Sequence, residues 1–280
     1  MRTTRPTQTQ SRLTGEQNVS TVWNPHFESL NNKNLETWLA GLPRTVAPKK
    51  TIIVASEERS GSEWLCQLMC ATGRLGRPSE YLNAPWFRRF VPDYPEDVPA
   101  GISVAQRAGT TPNGCFAIKL HPWHFDKLQE ARAEGKMTFA EAFPNPCFVR
   151  IIRRDILGQA ISLSRARQSG SYHAHVEATG RPVFNADEIT GCIREIATNR
   201  ERWELYFARN GLTPLVIEYE TLMRAPAKSI RDIARYAKIP LGLFFRKPAK
   251  PIEIQRNTES AEWRAAYLKV AGDPGYLDRV

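Results

Sequence analysis

The chain has 280 residues, 41% of them apolar and 24% charged, a balance that excludes global disorder and suffices for the core of one large α/β domain. Its 39 Lys and Arg outnumber 29 Asp and Glu for a formal charge of +10, so the expected partners are anions: nucleic acid, membrane surfaces or phosphorylated small molecules. No apolar run is long enough to span a bilayer and the first residues lack the apolar segment of a secretory signal, so no integral membrane segment and a cytoplasmic location are expected.

Residues 1–48 are polar and read as a flexible tail with one short helical pattern at Asn32–Leu42, ahead of a domain spanning 49–280. Thr51–Ala55 (TIIVA) is a continuous β-branched run of the kind buried in a parallel sheet, and similar runs recur at Cys115–Leu120, Cys147–Ile152 and Pro214–Glu218. Helical patterns follow at Glu63–Ala71, stopped at Gly73, and at Phe125–Glu134, Asp155–Gln168, Asp187–Asn210 and Ala227–Ala237. Asp155 and Asp187 read as N-caps and Gly211 as a C-terminal stop. The segment Pro85–Pro99 reads as a surface excursion. Strands alternating with helices predict an α/β fold, a parallel β-sheet flanked by helices. Cys66, Cys70, Cys115, Cys147 and Cys192 are odd in number and lie in apolar runs, which reads as buried thiols of a reducing compartment. No second Cys/His pair completes a zinc set with Cys66 and Cys70, and no metal is expected.

Where the first strand ends the chain reads Ser56-Glu57-Glu58-Arg59-Ser60-Gly61-Ser62-Glu63-Trp64. A strand, a small-residue loop and a helix start make an anion site, because backbone N–H groups and the helix N-terminus converge there. Gly61 admits close approach, Ser60 and Ser62 can donate, and Arg59 adds fixed charge. The ordinary alternative is an N-capped helix after a strand. G-x-x-x-x-G-K-[ST] occurs nowhere in the chain, which counts against a nucleoside triphosphatase or kinase. A second grip is Arg153-Arg154-Asp155 at the end of the CFVRII run, with Ser162 two turns along the next helix. Two grips on neighbouring strand ends suit a nucleotide phosphorylated at both its 5′ and 3′ positions. The basic residues are spread along the chain rather than clustered, so a nucleic-acid or polyanion-binding module is the weaker alternative and no nucleic-acid partner is expected.

The R-S-G-S loop, Ala71-Thr72-Gly73, Pro78-Ser79-Glu80-Tyr81, Thr111-Pro112-Asn113-Gly114, Lys119-Leu120, Arg153 to Arg165, Gly211, Tyr219 and Gln255 with Glu262-Trp263 resemble, in order, the trehalose 2-sulfotransferase family. The resemblance covers roughly residues 51–264. It implies a P-loop-like α/β sulfotransferase fold, a parallel β-sheet flanked by helices, and 3′-phosphoadenosine 5′-phosphosulfate (PAPS) as donor. It implies Arg59, Ser60, Gly61 and Ser62 on the 5′-phosphosulfate, Arg153 and Ser162 on the 3′-phosphate, and Glu80 as catalytic base. The implied acceptor is the hydroxyl of a small-molecule or glycolipid sugar, and a homodimer is compatible with the family's habit. The chain departs from the family pattern at Glu63, Arg154, Ser164 and Glu259, where the family has Thr, Pro, Trp and Arg. Arg154 leaves open which of the paired arginines reaches the phosphate.

Sulfuryl transfer to an alcohol needs a placed hydroxyl, a base, and positive charge on the oxygens that gain electrons. Lys119-Leu120-His121 also resembles the Lys-x-His segment of cytosolic sulfotransferases. That makes His121 a rival base, with a better intrinsic pKa than a carboxylate; otherwise it is a structural residue at a strand end. Trp86 and Trp123 are candidates for stacking on a sugar, and His173 and His175 read as solvated.

Overall fold

The computed structural model describes residues 34–42, 46–172, 180–241 and 258–277. Four strands, β1 (Lys50–Ala55), β2 (Cys115–Leu120), β3 (Pro146–Ile152) and β4 (Leu215–Glu218), form a parallel sheet in the order β2-β1-β3-β4. Its helices are α1 (Leu35–Ala40), α2 (Ser62–Ala71), α3 (Ala84–Phe87), α4 (Val98–Gly109), α5 (Pro122–Ala133) and α6 (Phe139–Ala142). They continue with α7 (Ile156–Ser169), α8 (Ala186–Arg209), α9 (Tyr219–Arg224), α10 (Pro226–Tyr236) and α11 (Thr258–Ala271).

Side chains alternate across a strand, so each run of apolar residues feeds two cores. Ile53, Ala55, Phe116, Ile118 and Leu120 face a core completed by α1, α4, α5 and α8; Ile52, Val54, Ala117, Val149 and Ile151 face one completed by α2, α9 and α10. A third cluster joins Ile161 and Leu163 of α7, Ile189 and Ile196 of α8, and Trp263 of α11. Among the described residues no helix is long and apolar enough to cross a membrane. The five cysteines are free thiols, each buried or partly buried.

The structure refines the local reading at three places. The segment 85–99 runs along the surface but is anchored to the core: Phe87, Val91 and Tyr94 are buried against Trp38 and Tyr81. Each such side chain is worth about 1.5–3 kcal/mol of apolar burial, enough to pin a Pro-rich stretch to the core. The N-cap of α8 is Asn185, which accepts from the Glu188 N–H, while Asp187 sits in the first turn where its charge suits the helix dipole. Helix α4 was hidden by Pro99, Gly101 and Gly109, yet proline is harmless in a first turn. Gly109 is there for contact, since a Cβ would lie 2.8 Å from the Ala117 carbonyl oxygen. Asp155 does cap α7, accepting from the Gly158 N–H at 2.9 Å. Residues 1–33, His173, His175 and Gln255 lie outside the described residues.

All four strands point the same way, so Ser56, His121, Arg153 and Tyr219 emerge at one edge of the sheet. The chain leaves β1 toward β2 on one side and β3 toward β4 on the other. Such a reversal opens a crevice beyond the carboxyl ends of the two middle strands, where open α/β sheets bind ligands.

Candidate active site

The loop after β1 builds the first wall. Gly61 has φ +88 and a Cβ there would strike the Tyr219 ring at 2.3 Å, so both backbone and neighbour require glycine. Arg59 also has positive φ (+58), a conformation costing about 1–3 kcal/mol in a side-chain-bearing residue. Its guanidinium is fixed in return: Nε donates to Ser162 Oγ at 2.9 Å and Nη1 donates to the Tyr172 carbonyl. Ser60 is fully buried and its Oγ has no hydrogen-bond partner among the described residues. Buried hydroxyls nearly always find a partner, so this one, between a strand and a helix N-terminus, is a candidate donor to a ligand.

Below the loop, Glu57 and Arg150 form a fully buried ion pair, and the Trp203 indole donates to the Ser56 carbonyl at 3.1 Å. Gln159 of α7 donates to the Glu58 carbonyl at 2.7 Å and accepts from Arg200, which also donates to the Arg153 carbonyl. Helix α8 thus ties the end of β1 to the end of β3, and the two predicted anion grips meet at the Arg59–Ser162 hydrogen bond.

The paired arginines part company. Arg153 lies over the Tyr219 ring, 5.1 Å from its centroid, and lines the central cavity. Arg154 turns outward, 69% exposed, and pairs with Glu218. Helix α11 closes the same side: Arg264 reaches Asp155, and Arg165 pairs with Glu259 and stacks on Trp263.

The second wall comes from β2 and the segment after α2. Glu80 Oε1 accepts from Lys119 Nζ at 2.6 Å and faces His121 Nε2 at 3.1 Å; Oε2 accepts from Asn83 Nδ2 at 3.0 Å. Burial alone would raise the Glu80 pKa, but Lys119 and His121 outweigh it and hold the carboxyl well below its usual range. His121 Nδ1 lies 3.0 Å from the Ser56 carbonyl. Burial disfavours the imidazolium, yet the Glu80 and Glu58 carboxylates prevail and the His121 pKa is raised. Neighbouring His124 is pushed well below its usual value by burial and by His121.

These walls enclose a cavity of about 1240 Å³, lined by the loop residues Arg59, Gly61 and Ser62, by Glu80, Lys119 and His121, and by Arg153 and Ser162. Among the described residues its charged lining is six cations (Arg59, Arg89, Lys119, Arg153, Arg165, Arg264) and four carboxylates (Glu58, Glu63, Glu80, Asp155). Every predicted site residue borders this space except Ser60, which lies beneath its loop. Reading the sequence alone missed Asn83, Glu58, Arg264 and the role of Arg165. Glu58 stood in the quoted loop, whereas Asn83 and Arg264 carried no local signal. Among the described residues no cluster of His, Cys, Asp and Glu could hold a metal ion.

The loop after β1, Arg153 with Ser162 beyond β3, and the Glu80–Lys119 pair beside β2 all line one cavity at the carboxyl edge of the sheet. The family model for Stf0 sulphotransferases matches residues 51–269, and the chain belongs to that family. It is 29% identical over 267 residues to a trehalose 2-sulfotransferase of Mycobacterium tuberculosis (strain ATCC 35801 / TMC 107 / Erdman), covering 81% of this chain and 96% of that one. It is 25% identical over 261 residues to a trehalose 2-sulfotransferase of Mycolicibacterium smegmatis (strain ATCC 700084 / mc(2)155), covering 80% and 96%. Among solved structures, the sulfotransferase domain from the Synechococcus PCC 7002 olefin synthase aligns with TM-score 0.40 and 16% identity, over 74% of this chain and 80% of that one.

Proposed function

We propose that this sulfotransferase moves the sulfuryl group of PAPS to a hydroxyl of a carbohydrate-containing acceptor. The observation that carries the reading is the convergence of the Arg59–Ser62 loop, Arg153 with Ser162, and Lys119 with Glu80 on one cavity. Its volume of about 1240 Å³ exceeds the ~300–1,000 Å³ of ordinary ligand pockets and suits a donor and a sugar together. Arg59, the Ser60 hydroxyl and the loop amides would hold the 5′-phosphosulfate, and Arg153 with Ser162 the 3′-phosphate. Arg153 is preferred to Arg154 because Arg154 is exposed and engaged by Glu218.

In the transfer, the acceptor oxygen bonds to sulfur as the bond from sulfur to the 5′-phosphate oxygen breaks, and 3′,5′-ADP leaves. Glu80 takes the hydroxyl proton. Its rival is less suited: His121 Nε2 faces the Glu80 carboxylate and Nδ1 lies near the Ser56 carbonyl and hydroxyl, surroundings that raise its pKa and favour the imidazolium. A protonated imidazole accepts nothing. While Lys119 sits on Glu80 the carboxylate is a weak base; a sulfated donor competes for the ammonium, returning basicity to Glu80 and charge to the leaving oxygen. Transfer of radiolabelled sulfate from PAPS to a panel of sugars tests the reading. Stabilisation by ATP but not by 3′,5′-ADP would overturn it.

A further inference from the structure

The transfer above has no task for Arg89, an exposed cation that lines the cavity. Every other described lysine or arginine of the lining is engaged. Arg59 donates to Ser162, Lys119 pairs with Glu80, Arg153 and Arg264 pair with Asp155, and Arg165 pairs with Glu259. The Arg89 guanidinium has neither an ion pair nor a hydrogen bond among the described residues. It lies over the Trp86 ring, 5.4 Å from the centroid, and the Arg89 backbone N–H donates to the Trp86 carbonyl at 3.3 Å. Trp86 borders the cavity as well. This rim is on the acceptor side, because α3 is capped by Asn83, which donates to Glu80 Oε2 at 3.0 Å and accepts from the Trp86 N–H.

A second cation stands close to the start of α3. Lys127 of α5 lies over the Trp123 ring, 5.3 Å from its centroid, and donates to the Leu82 carbonyl at 3.4 Å, one residue before Asn83. It has no carboxylate partner among the described residues. The carboxylates of these segments are taken: Asp126 by Arg202, Glu96 by Arg88, and Glu80 by Lys119 and His121. Positive charge is therefore left unmatched beside two tryptophans. An arginine laid over a ring is held in place and keeps its planar set of N–H donors for an oxyanion. We infer that Arg89 binds an oxyanion, a carboxylate or a phosphate, carried by the acceptor molecule itself, with Lys127 adding to the attraction. The acceptor is thus an acidic saccharide rather than a neutral one. This inference rests on the sulfotransferase reading proposed above.

Calorimetry on the full chain saturated with 3′,5′-ADP tests it, because the nucleotide fills the donor side and leaves the acceptor side open. Glucuronate and glucose 6-phosphate should bind at least about fivefold more tightly than glucose, the gain expected of a charge-assisted contact at a partly exposed site. Arg89→Gln should erase most of that preference. Arg89→Lys should keep part of it, since the charge stays while the paired N–H geometry goes. Acids that bind no better than glucose, or a preference that survives Arg89→Gln, overturn the inference alone. So does a collapse of 3′,5′-ADP affinity in Arg89→Gln, which would place Arg89 on the donor. Sedimentation with vesicles containing an anionic phospholipid separates the sources of the oxyanion: vesicle binding that needs Arg89, without any preference among the three sugars, would make the rim a membrane contact and overturn the inference. A wild-type chain that binds no 3′,5′-ADP overturns the sulfotransferase reading first, and this one with it.

Discussion

Lys119 Nζ stands 2.6 Å from Glu80 Oε1, with both side chains largely buried, so the residue proposed as base is paired before any ligand arrives. Glu80→Gln keeps the shape and the Asn83 contact while deleting the proton acceptor. Its kcat should fall by about 10²–10⁴-fold. It should also lose stability, because a buried pair broken at one partner leaves the other charge uncompensated, typically at about 3–5 kcal/mol. Glu80→Gln combined with Lys119→Met removes both charges and should recover much of that stability without recovering turnover. Single-turnover rates alongside denaturant melts separate the two effects; a double variant no more stable than the single one would contradict the pairing argument.

Donor recognition should distinguish the paired arginines. 3′,5′-ADP should bind more tightly than 5′-AMP by about tenfold or more, since the extra phosphate gains charge-assisted hydrogen bonds. Arg153→Ala should erase most of that ratio. Arg154→Ala should leave it, because Arg154 is outside the cavity and spent on Glu218. Calorimetry with the two nucleotides decides the matter, and equal affinities in the wild type would remove the 3′-phosphate grip altogether.

The Arg150–Glu57 pair beneath the loop predicts a different pattern. Arg150→Met leaves Glu57 buried with its strongest partner gone, so the cost should be about 3–5 kcal/mol. Adding Glu57→Gln should restore a large part of it, as replacing both members of a buried pair is often near neutral. Equal melting temperatures for the single and double variants would mean that the pair is not coupled. In the double variant, 3′,5′-ADP affinity reports whether the pair also shapes the loop above it.

The parts of this architecture that were legible in the sequence are those where local chemistry is sufficient. TIIVA, CFAIKL and CFVRII could hardly be anything but buried parallel strands, and Arg59–Ser62 announces an anion loop by type and position. Residues whose meaning depends on distant partners were not legible. Phe87 and Tyr94 looked like surface residues because Pro85, Pro92, Pro95 and Pro99 dominate their neighbourhood, and only Trp38 and Tyr81 across the core make them interior. Likewise burial alone would raise the pKa of Glu80, and nothing next to it in the sequence signals otherwise. The lysine and histidine of β2 and its end, some 40 residues later, reverse the sign of its pKa shift.

His121 carries a pH signature. Its ring nitrogens face the Ser56 carbonyl and the Glu80 carboxylate, with Lys119, Glu58 and His124 as the other titratable groups around it, and its pKa is raised above the ordinary value near 6.5. A histidine with a raised folded-state pKa binds its proton more tightly in the native than in the unfolded chain. Its stabilisation is therefore fully present below the unfolded value and fades as pH rises through the folded one. His121→Asn removes this contribution, so wild type should exceed the variant in stability by more at pH 5.5–6 than at pH 9. Glu80 does not confuse the comparison, because its depressed pKa keeps it ionised across that range. Denaturant melts of both proteins across the window give the difference at each pH, and the ring's own titration can be followed by NMR. A stability difference that stays flat with pH, or a His121 ring that titrates at or below the ordinary imidazole value, would mean that the ring is neutral in the native state; it would then return His121 to contention as the base.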